Sequence, residues 1–362
     1  MSHIYFICPD SNIPAGGIKQ LYRQVDVLNK NGFMAYVIHG HKHFKVNWFK
    51  NNTPVVWHPI VAKLNKNSNK NLINKIKTLV KNTFKPEFKY DKSINNKKLV
   101  LNDDDIIVLP EFYGKAINTV FQDQKTVVYN QNCYYSFRGY GIPNQTNSIV
   151  SIYKQDRLQG VIVASANAVS YIKTFLVDKP VYRVRYGIDK NVFSFQANKK
   201  KQIAFMPRKL REDSEQILNI LNIRGVLNGW DIVSIQGMNE EEVAGVLKES
   251  AIFLSFNHRE GFGMPPAEAM ACGCVVVGYA GQGGEEYFLP NITYKVPQRN
   301  IQEFTKTLEQ VILEFETNPQ KIVKIGLEAS KFIEKEYSMK QEQESIISVW
   351  QELLKHEKQI HG

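Results

Sequence analysis

The chain has few cysteines and lacks the long apolar runs of a membrane protein. No apolar stretch approaches the ~18 to 20 residues needed to span a bilayer, so no transmembrane segment is predicted. The N-terminus has neither the basic region nor the apolar core of a secretory signal, which predicts a cytoplasmic protein. Its four cysteines include no Cys-x-x-Cys pair and are interpreted as reduced core residues.

Sequence patterns for metals and dinucleotides are missing as well. His39, His41 and His43 alternate without cysteine or carboxylate companions, so a solvated loop is expected there rather than a metal site. The acidic run at 102–106 directly precedes a predicted strand and is interpreted as a turn, not as an Asp-x-Asp metal motif. No Gly-x-Gly-x-x-Gly follows the first predicted strand, which argues against a dinucleotide-dependent oxidoreductase.

Acidic residues are scarce in one lysine-rich segment. The whole chain has a formal net charge of +11, and residues 41–98 contain fourteen lysines, two acids and no arginine. Such a segment suits an anionic lipid surface, which would place the protein peripherally at the inner face of a membrane. A merely solvated insert is the alternative, given the many asparagines. Without arginine and with few aromatics, the segment does not predict nucleic-acid binding.

The length of 362 residues allows two domains. Short β-rich runs alternate with helix-length segments, which is typical of parallel α/β units, and the series occurs twice. We therefore predict an α/β protein with two doubly wound domains facing a central cleft, at 1–193 and 202–337. A polar linker is expected near 194–201. Residues 338–362 are predicted to form a helix that packs back on the first domain.

An apolar run that ends at Phe256 predicts a buried strand followed by a glycine-rich loop and a helix. The prolines at 265–266 suit only the first turn of a helix, so this helix is predicted to begin near Met264 or Pro265. The free N–H groups and the dipole at its start would bind an anion. A phosphate site is therefore predicted at this loop.

Two acids flank this predicted phosphate site. Glu260 lies in the loop and Glu268 near the first turn, while Gly261 and Gly263 allow close approach to the backbone. Carboxylates accept hydrogen bonds from sugar or ribose hydroxyls, so the combination favours a nucleotide sugar. The alternative is that Glu268 interacts with the helix dipole and Glu260 is an exposed loop acid.

Three other strand–loop–helix junctions carry residues suited to phosphate. A guanidinium after a strand end can clamp a diphosphate through two parallel hydrogen bonds. Ordinary strand–helix turns are the alternative interpretation of each junction. The residues concerned are Arg208, Lys209 and Arg211 after one strand, Gly16 and Gly17 after another, and Gly281, Gly283 and Gly284 before a helix predicted to begin near Glu285.

The segment from Glu260 to Phe288 resembles the donor site of retaining glycosyltransferases of the GT-B fold, in the GT4-like family that carries a Glu-x7-Glu motif. Weaker similarity covers the Gly16–Gly17 loop, "VIVASANAVSYI", "RYGIDKNVF" and "FMPRK". The resemblance implies an acceptor-binding N-terminal domain and a donor-binding C-terminal domain. It further implies transfer of a hexose or deoxyhexose to a glycan or lipid-linked saccharide in polysaccharide biosynthesis.

The resemblance also implies a role for each site residue. Glu268 would hold the ribose hydroxyls, Glu260 would hold the donor sugar near the reacting carbon, and Arg208 would neutralise the pyrophosphate. The leaving phosphate would help to deprotonate the acceptor, and neither metal nor cofactor is expected. Main-chain groups complete the donor site, namely the amides of Phe262, Gly263 and Met264 for the phosphates and the region of Gly237 and Met238 for the base.

This sequence departs from the family pattern at two places. Many relatives carry a lysine five or six residues after the arginine, where this chain has Asp213 and Ser214. Whether Lys209 or Arg211 replaces that cation is left open. Many relatives also carry a histidine in a loop of the first domain, where this chain offers three consecutive amides. They are Asn130, Gln131 and Asn132, which can hydrogen-bond a sugar but cannot take up a proton at neutral pH.

Two other functions compete with the transferase. A glycoside hydrolase also uses paired carboxylates, but it would leave the Arg208 segment without a role. A non-catalytic protein that binds a nucleotide sugar or a glycan would show the same donor-site pattern. The sequence therefore favours a transferase and leaves a binding protein as the alternative.

Overall fold

The computed structural model describes residues 2–65, 96–143 and 151–360. The part of the lysine-rich segment from 66 to 95 lies outside the described residues. The chain forms two compact units. The first consists of Met1–Val163, Ile172–Tyr182 and Ile346–Gly362, and the second of Ala164–Tyr171 and Arg183–Ser345.

The first unit is built on an eight-stranded sheet with the order β4-β3-β2-β1-β5-β6-β7-β8. Its central strands are apolar and buried along their whole length, as expected where helices cover both faces of a parallel sheet. The strands are β1 Ile4–Ile7, β2 Ala35–His39, β3 Val55–Trp57, β4 Lys97–Lys98, β5 Ile106–Pro110, β6 Lys125–Asn130, β7 Leu158–Val163 and β8 Val181–Arg183.

Helical segments of several kinds connect these strands. Helix α1, Gly16–Lys30, follows β1 and buries Leu21, Val25 and Leu28. Three 3₁₀ helices span Glu111–Thr119, Cys133–Tyr135 and Ile152–Lys154. Helix α2, Ala166–Lys173, follows β7.

The segment Glu111–Thr119 is a 3₁₀ helix that is kinked at Gly114. Gly114 has φ 55°, and a Cβ there would lie 2.2 Å from the carbonyl oxygen of Arg138. The close approach of this second chain segment fixes the kink, and local sequence periodicity does not reveal it.

The second unit contains a five-stranded parallel sheet with the order β10-β9-β11-β12-β13. Its strands are β9 Lys200–Phe205, β10 Asp231–Ser234, β11 Ser250–Phe256, β12 Val275–Tyr279 and β13 Thr293–Lys295. Its helices are α3 Arg211–Ile223, α4 Glu240–Glu249, α5 Met264–Ala271, α6 Gly281–Gly284, α7 Ile301–Thr317 and α8 Pro319–Glu336; α9 Met339–Ile360 follows them.

The core of the second unit lies between this sheet and α7. Phe304 of α7 is fully buried and stacks on Phe256 at a centroid distance of 5.2 Å. Leu308 and Val311 continue the apolar face of the same helix. Burial of these side chains fixes the end of β11 in a rigid core, and the loop after β11 begins there.

The boundary of the second unit lies before the predicted linker at 194–201. From Arg183 onward the chain is held within the second unit by long-range contacts. The guanidinium of Arg183 lies 2.5 Å from Glu286, and the amide of Ile188 donates to the carbonyl of Tyr337 at 2.7 Å. These partners are far away in the sequence, so composition does not reveal them.

The predicted start of the helix near Glu285 is wrong. Helix α6 begins at Gly281 and ends at Gly284, so Glu285 caps its C-terminus. Beyond residue 300 the chain forms α7, α8 and α9, and α9, Met339–Ile360, lies where a helix was predicted at 338–362. Among the described residues, no helix is long and apolar enough to cross a membrane.

Candidate functional site

The strand order of the second unit identifies where a ligand can bind. In sequence its strands run β9 to β13, yet β9 lies between β10 and β11. The chain therefore reverses its direction of winding between β9 and β11, and ligands of such sheets bind outside the strand ends at this point. The two loops concerned follow Phe205 and Phe256.

Lys209 and Glu260 meet at this point. Lys209 lies four residues after the end of β9 and Glu260 four residues after the end of β11, and Lys209 Nζ is in direct contact with Glu260 Oε1. Their side chains are 30% and 20% exposed. An ion pair that is largely shielded from water is stronger than an exposed one. The contact joins Glu260, which is expected to hold the donor sugar, to Lys209, which is a candidate cation for binding the phosphates.

The charge of Lys209 is sensitive to pH. Burial, and then the positive charge of Arg208, lower the pKa of Lys209 to about 8. The carboxylate of Glu260 acts in the opposite direction, because it favours the charged ammonium. Arg208 itself is exposed, and among the described residues it makes no ion pair. Its guanidinium is therefore available to a ligand.

Arg211 and Asp213 have structural partners. Arg211 begins α3 and pairs with Glu215 one turn later at 2.7 Å. Asp213 is buried, accepts a hydrogen bond from Tyr279 at 2.9 Å and pairs with Arg299 at 3.2 Å. The acid that stands where relatives carry a lysine thus holds a different cation, which the sequence analysis missed because Arg299 lies in a distant loop.

Positive charge concentrates at this edge of the sheet. Burial, and then the charges of Arg259, Arg299 and Lys209, lower the pKa of His258. These cations lie close enough to disfavour a further positive charge on His258. Among the described residues, no group of three His, Cys, Asp or Glu side chains could hold a metal ion.

Helix α5 begins at Met264, which confirms the predicted start. The residue before it, Gly263, has φ 88°, and no side chain caps the helix. A Cβ on Gly263 would lie 2.3 Å from the side-chain nitrogen of Asn257. Only glycine fits here, because both the backbone conformation and the space exclude a side chain.

Tyr287 orients the peptide groups at the start of α5. Its hydroxyl lies 3.0 Å from the carbonyl oxygen of Phe262 and 2.6 Å from that of Gly263. In a trans peptide the N–H points opposite to the carbonyl. The amides that share those two peptide groups belong to Gly263 and Met264, so both N–H groups point away from Tyr287. They are two of the three amides, those of Phe262, Gly263 and Met264, that were predicted to bind the phosphates.

The side chain of Phe262 belongs to the core. It is 3% exposed and packs on Tyr186, Tyr287 and Tyr337 at centroid distances of 5.6, 5.2 and 5.3 Å. Phe262 can therefore contribute to a ligand site only through its backbone.

The glycine-rich loops after β11 and β12 touch each other. The amide of Gly283 donates to the carbonyl of Glu260 at 3.2 Å. A Cβ on Gly283 would lie 2.0 Å from the carbonyl oxygen of Gly261. This contact holds the backbone of Glu260 and Gly261 in place, and it requires glycine at position 283.

The remaining residues expected at the donor site occupy two elements. Glu268 is half-buried on α5, one turn after its start. Gly237 is exposed with φ 66°, and Met238 is half-buried, between β10 and α4. Because β10 is the neighbour of β9, this loop lies at the same edge of the sheet.

In the first unit, Gly16 and Gly17 open α1, and the amide of the Gln131 side chain donates to the carbonyl of Gly17 at 3.1 Å. The amide of Asn130 donates to Ser136 Oγ at 2.7 Å, and the Asn132 side chain accepts from the amide of Tyr134 at 3.1 Å. Asn130 and Asn132 thus shape their own loop.

His39 corrects the expectation of a solvated loop. It is fully buried at the end of β2, and its ring lies 3.2 Å from Asp10 and 2.6 Å from the hydroxyl of Tyr22. His41 lies 2.5 Å from the other oxygen of Asp10. Burial alone would raise the pKa of Asp10, but hydrogen bonds from His39, Gly40 and His41 hold it below its ordinary value.

Glu111 is a buried acid that the sequence analysis missed. It directly follows β5, and the backbone amides of Gln131 and Asn132 donate to it. Burial nevertheless raises the pKa of Glu111 to about 8. Its Oε2 has no hydrogen-bond partner within the described part of the chain. Glu111 therefore joins the loops after β5 and β6 while carrying a proton over much of the neutral range.

Comparison with known sequences finds similarity to glycosyltransferases over part of the chain. Residues 223–326 match the sequence model of the glycosyl transferases group 1. This range contains Glu260 and Glu268 but not Arg208. An alpha-1,6-glucosyltransferase of Actinobacillus pleuropneumoniae serotype 7 (strain AP76) is 32% identical over 197 residues, or 52% of this chain. The chain spans 56% of the length of that relative.

Solved structures share the fold over nearly the whole chain. Sucrose-phosphate synthase from Thermosynechococcus elongatus gives a TM-score of 0.64 at 13% identity, covering 98% of this chain and 100% of that one. Anabaena HepE in complex with UDP and glucose gives 0.62 at 15% identity, covering 97% and 100%. These similarities confirm the predicted GT-B fold.

Proposed function

We propose that this chain, which has the GT-B fold and contains a match to the glycosyl transferases group 1 model, is a glycosyltransferase. It would move a sugar with retention from a nucleotide-sugar donor to a glycan or lipid-linked saccharide in polysaccharide biosynthesis. The observation that carries this proposal is the contact of Lys209 with Glu260 where β9 and β11 end. The ammonium of Lys209 can bind a diphosphate, and the carboxylate beside it can accept hydrogen bonds from sugar hydroxyls. A ligand that contains both a diphosphate and a sugar requires such a pair.

In this proposal the donor diphosphate lies at the start of α5. The N–H groups of Gly263 and Met264 and the guanidinium of Arg208 bind its oxygens, and the ammonium of Lys209 lies between it and Glu260. Fixed dipoles and cations stabilise the charge that develops as the diphosphate leaves. The leaving phosphate then takes the proton of the attacking hydroxyl, and the new bond forms on the face that the diphosphate leaves.

Two names among the similar proteins suggest which donor to test first. The curated relative is an alpha-1,6-glucosyltransferase, and the Anabaena structure contains UDP and glucose. UDP-glucose is therefore the first donor to test. The donor is identified by thermal shift with UDP, GDP, dTDP and ADP, since a ligand that binds the folded state raises its melting temperature.

The mechanism predicts different effects for the two glutamates. Glu260→Gln should lower kcat about a hundredfold or more, because the sugar loses a charged hydrogen-bond acceptor next to the reacting carbon. Glu268→Ala should mainly raise the KM for the donor, by about tenfold for one lost charged hydrogen bond. Steady-state kinetics with UDP-glucose measure both. Glu328→Gln is the control, because Glu328 lies on α8 and its side chain is 49% exposed. Unchanged kinetics in both site variants would overturn the assignment.

One observation favours the alternative of a non-catalytic nucleotide-sugar or glycan binding protein. Asn130, one of the three amides in the loop where many relatives carry a histidine, is buried and donates to Ser136 and to Tyr153 within its own unit. Incubation with nucleotide sugars separates the two functions. A transferase releases free sugar slowly by transfer to water, whereas a binding protein releases none.

A further inference from the structure

Three aromatic side chains are exposed within four residues of the first unit. Tyr134, Tyr135 and Phe137 are 49%, 41% and 42% exposed. They belong to the segment 133–140, which follows β6 and which we call the aromatic segment. Large rings clustered at the surface of a soluble unit mark a binding surface more often than isolated ones do.

The backbone of the aromatic segment is fixed from within. A 3₁₀ turn begins at Asn132, whose carbonyl accepts from the amide of Tyr135 at 3.0 Å. The carbonyl of Tyr135 in turn accepts from the amide of Arg138 at 3.0 Å. Ser136, between the exposed rings, is 3% exposed and is held by Asn130 at 2.7 Å.

The far end of the aromatic segment is fixed by the 3₁₀ helix after β5. The amide of Lys115 donates to the carbonyl of Arg138 at 2.8 Å, and the guanidinium of Arg138 donates to the carbonyl of Phe112 at 3.2 Å. Tyr140 and Asn118 exchange hydrogen bonds of 2.7 and 3.0 Å between their side chains. The rings are therefore presented by a rigid backbone, which lowers the entropy lost when a ligand binds them.

The chemistry of the aromatic segment fits a saccharide. Tyr134 and Tyr135 combine ring faces, on which the C–H faces of sugars pack, with hydroxyl groups that exchange hydrogen bonds with sugar hydroxyls. The guanidinium of Arg138 lies 5.6 Å from the centre of the Tyr135 ring and adds further donors. A lipid acyl chain would not use these polar groups.

The position of the aromatic segment also fits a saccharide acceptor. Its first residue follows the loop of Asn130 and Asn132, which is expected to serve the acceptor. Gln131 of that loop donates to Gly17 at the start of α1. The exposed rings thus follow the predicted acceptor loop directly in the chain and lie in the same unit.

We propose that the aromatic segment is a subsite for an extended saccharide acceptor, in which Tyr134, Tyr135 and Phe137 pack against sugar units beyond the one that reacts. The inference rests on the proposed transferase function, since it assigns the acceptor of that activity. It identifies a saccharide chain longer than a disaccharide as the acceptor class.

Binding of isomaltohexaose, maltohexaose and isomaltose to the full-length protein, measured by titration calorimetry, tests the subsite without requiring catalysis. We expect a hexasaccharide to bind more tightly than isomaltose. Tyr134→Ala and Phe137→Ala should each weaken hexasaccharide binding by threefold to about tenfold, the usual effect of one ring contact, and leave isomaltose binding unchanged. Tyr171→Ala removes a ring of similar exposure, 36%, from α2 and should change neither.

The named outcomes separate the subsite from the proposed function. If the wild type releases sugar from UDP-glucose but binds neither hexasaccharide, or if the variants bind like the wild type, the subsite is overturned while the transferase stands. If hexasaccharide binding is lost only in the aromatic variants while no nucleotide sugar is turned over, the subsite is supported and the transferase fails.

Ile142, just beyond the aromatic segment, is 89% exposed, so a membrane contact must be distinguished. Flotation with vesicles of phosphatidylglycerol and phosphatidylcholine does so. The proposal predicts that Tyr134→Ala and Phe137→Ala float like the wild type. If these variants lose vesicle binding and keep oligosaccharide binding, the segment contacts membranes and the saccharide subsite is overturned.

Discussion

At the scale of single residues, two ionisable side chains have pKa values near neutral pH for different reasons. Lys209 loses affinity for its proton because it is largely buried beside Arg208. Glu111 gains affinity for its proton because it is fully buried. Each shift predicts a pH dependence of a different property, namely ligand affinity for Lys209 and stability for Glu111.

Lys209 predicts how donor affinity changes with pH. Because its pKa is about 8, the ammonium is charged below pH 8 and becomes neutral as the pH rises through that value. Nucleotide diphosphate affinity should therefore fall by about tenfold or less between pH 7 and pH 9, as calorimetry with UDP measures. Lys209→Arg keeps its charge throughout and should remove most of this fall. The same decline in both proteins would contradict the role of Lys209.

Glu111 predicts how stability changes with pH. Its pKa is raised from 4.5 to about 8, so between these values the folded chain keeps a proton that the unfolded chain releases. Stability therefore falls as the pH rises through this window, by at most about 1.4 kcal/mol per pH unit. Glu111→Gln removes this dependence. The melting temperature of the variant minus that of the wild type should be larger at pH 8 than at pH 5.5.

Glu328→Gln is the control for this comparison, because the side chain of Glu328 is 49% exposed. The difference in melting temperature between Glu328→Gln and the wild type should be the same at both pH values. If the Glu111→Gln difference is equally constant, burial does not shift the titration of Glu111.

At the scale of elements, the start of α5 combines several constraints on one short loop. Gly263 supplies the left-handed conformation, Tyr287 binds the two carbonyls, and Gly283 permits contact with the neighbouring loop. The donor amides are therefore positioned before any ligand arrives, which is how a protein stabilises charge without reorganisation.

Substitution of two glycines tests this arrangement. Gly263→Ala should lower the melting temperature and weaken UDP binding, because its Cβ would lie 2.3 Å from Asn257 at a φ of 88°. Gly245→Ala is the matched control: Gly245 lies within α4 and a Cβ there meets no atom within 4 Å. It should stabilise the protein by roughly 0.5–1 kcal/mol. Equal effects of the two substitutions would contradict the constraint at Gly263.

At the scale of the whole molecule, α9 contributes to the core of the first unit. Trp350 of α9 is fully buried in the first unit, where its ring lies 5.7 Å from Phe6 and its indole N–H donates to Gln24 at 3.3 Å. The residues of α9 from Ile346 on thus belong to the core of the first unit.

The lysine-rich segment predicts binding to anionic membranes. Each lysine near a charged surface contributes about 1 kcal/mol at most, and salt screens the attraction. The protein should therefore float with phosphatidylglycerol vesicles at low salt and be released at high salt. Vesicles of phosphatidylcholine alone are the control. No flotation with anionic vesicles at low salt would contradict the membrane prediction.

Local patterns in the sequence determined the parallel α/β architecture, through strand composition, and the start of α5 at Met264, through proline geometry. They also determined the backbone conformation of the glycine loop after Glu260, because a positive φ favours glycine. Each of these effects acts within a few residues. Only the tertiary structure decided which residues touch: Lys209 with Glu260, Asp213 with Arg299, Asp10 with His39. These partners lie on different strands, helices or loops, and the order of strands in each sheet brings them together. The burial that shifts the pKa of Glu111 and Lys209 is likewise a property of packing, so no stretch of sequence encodes it alone.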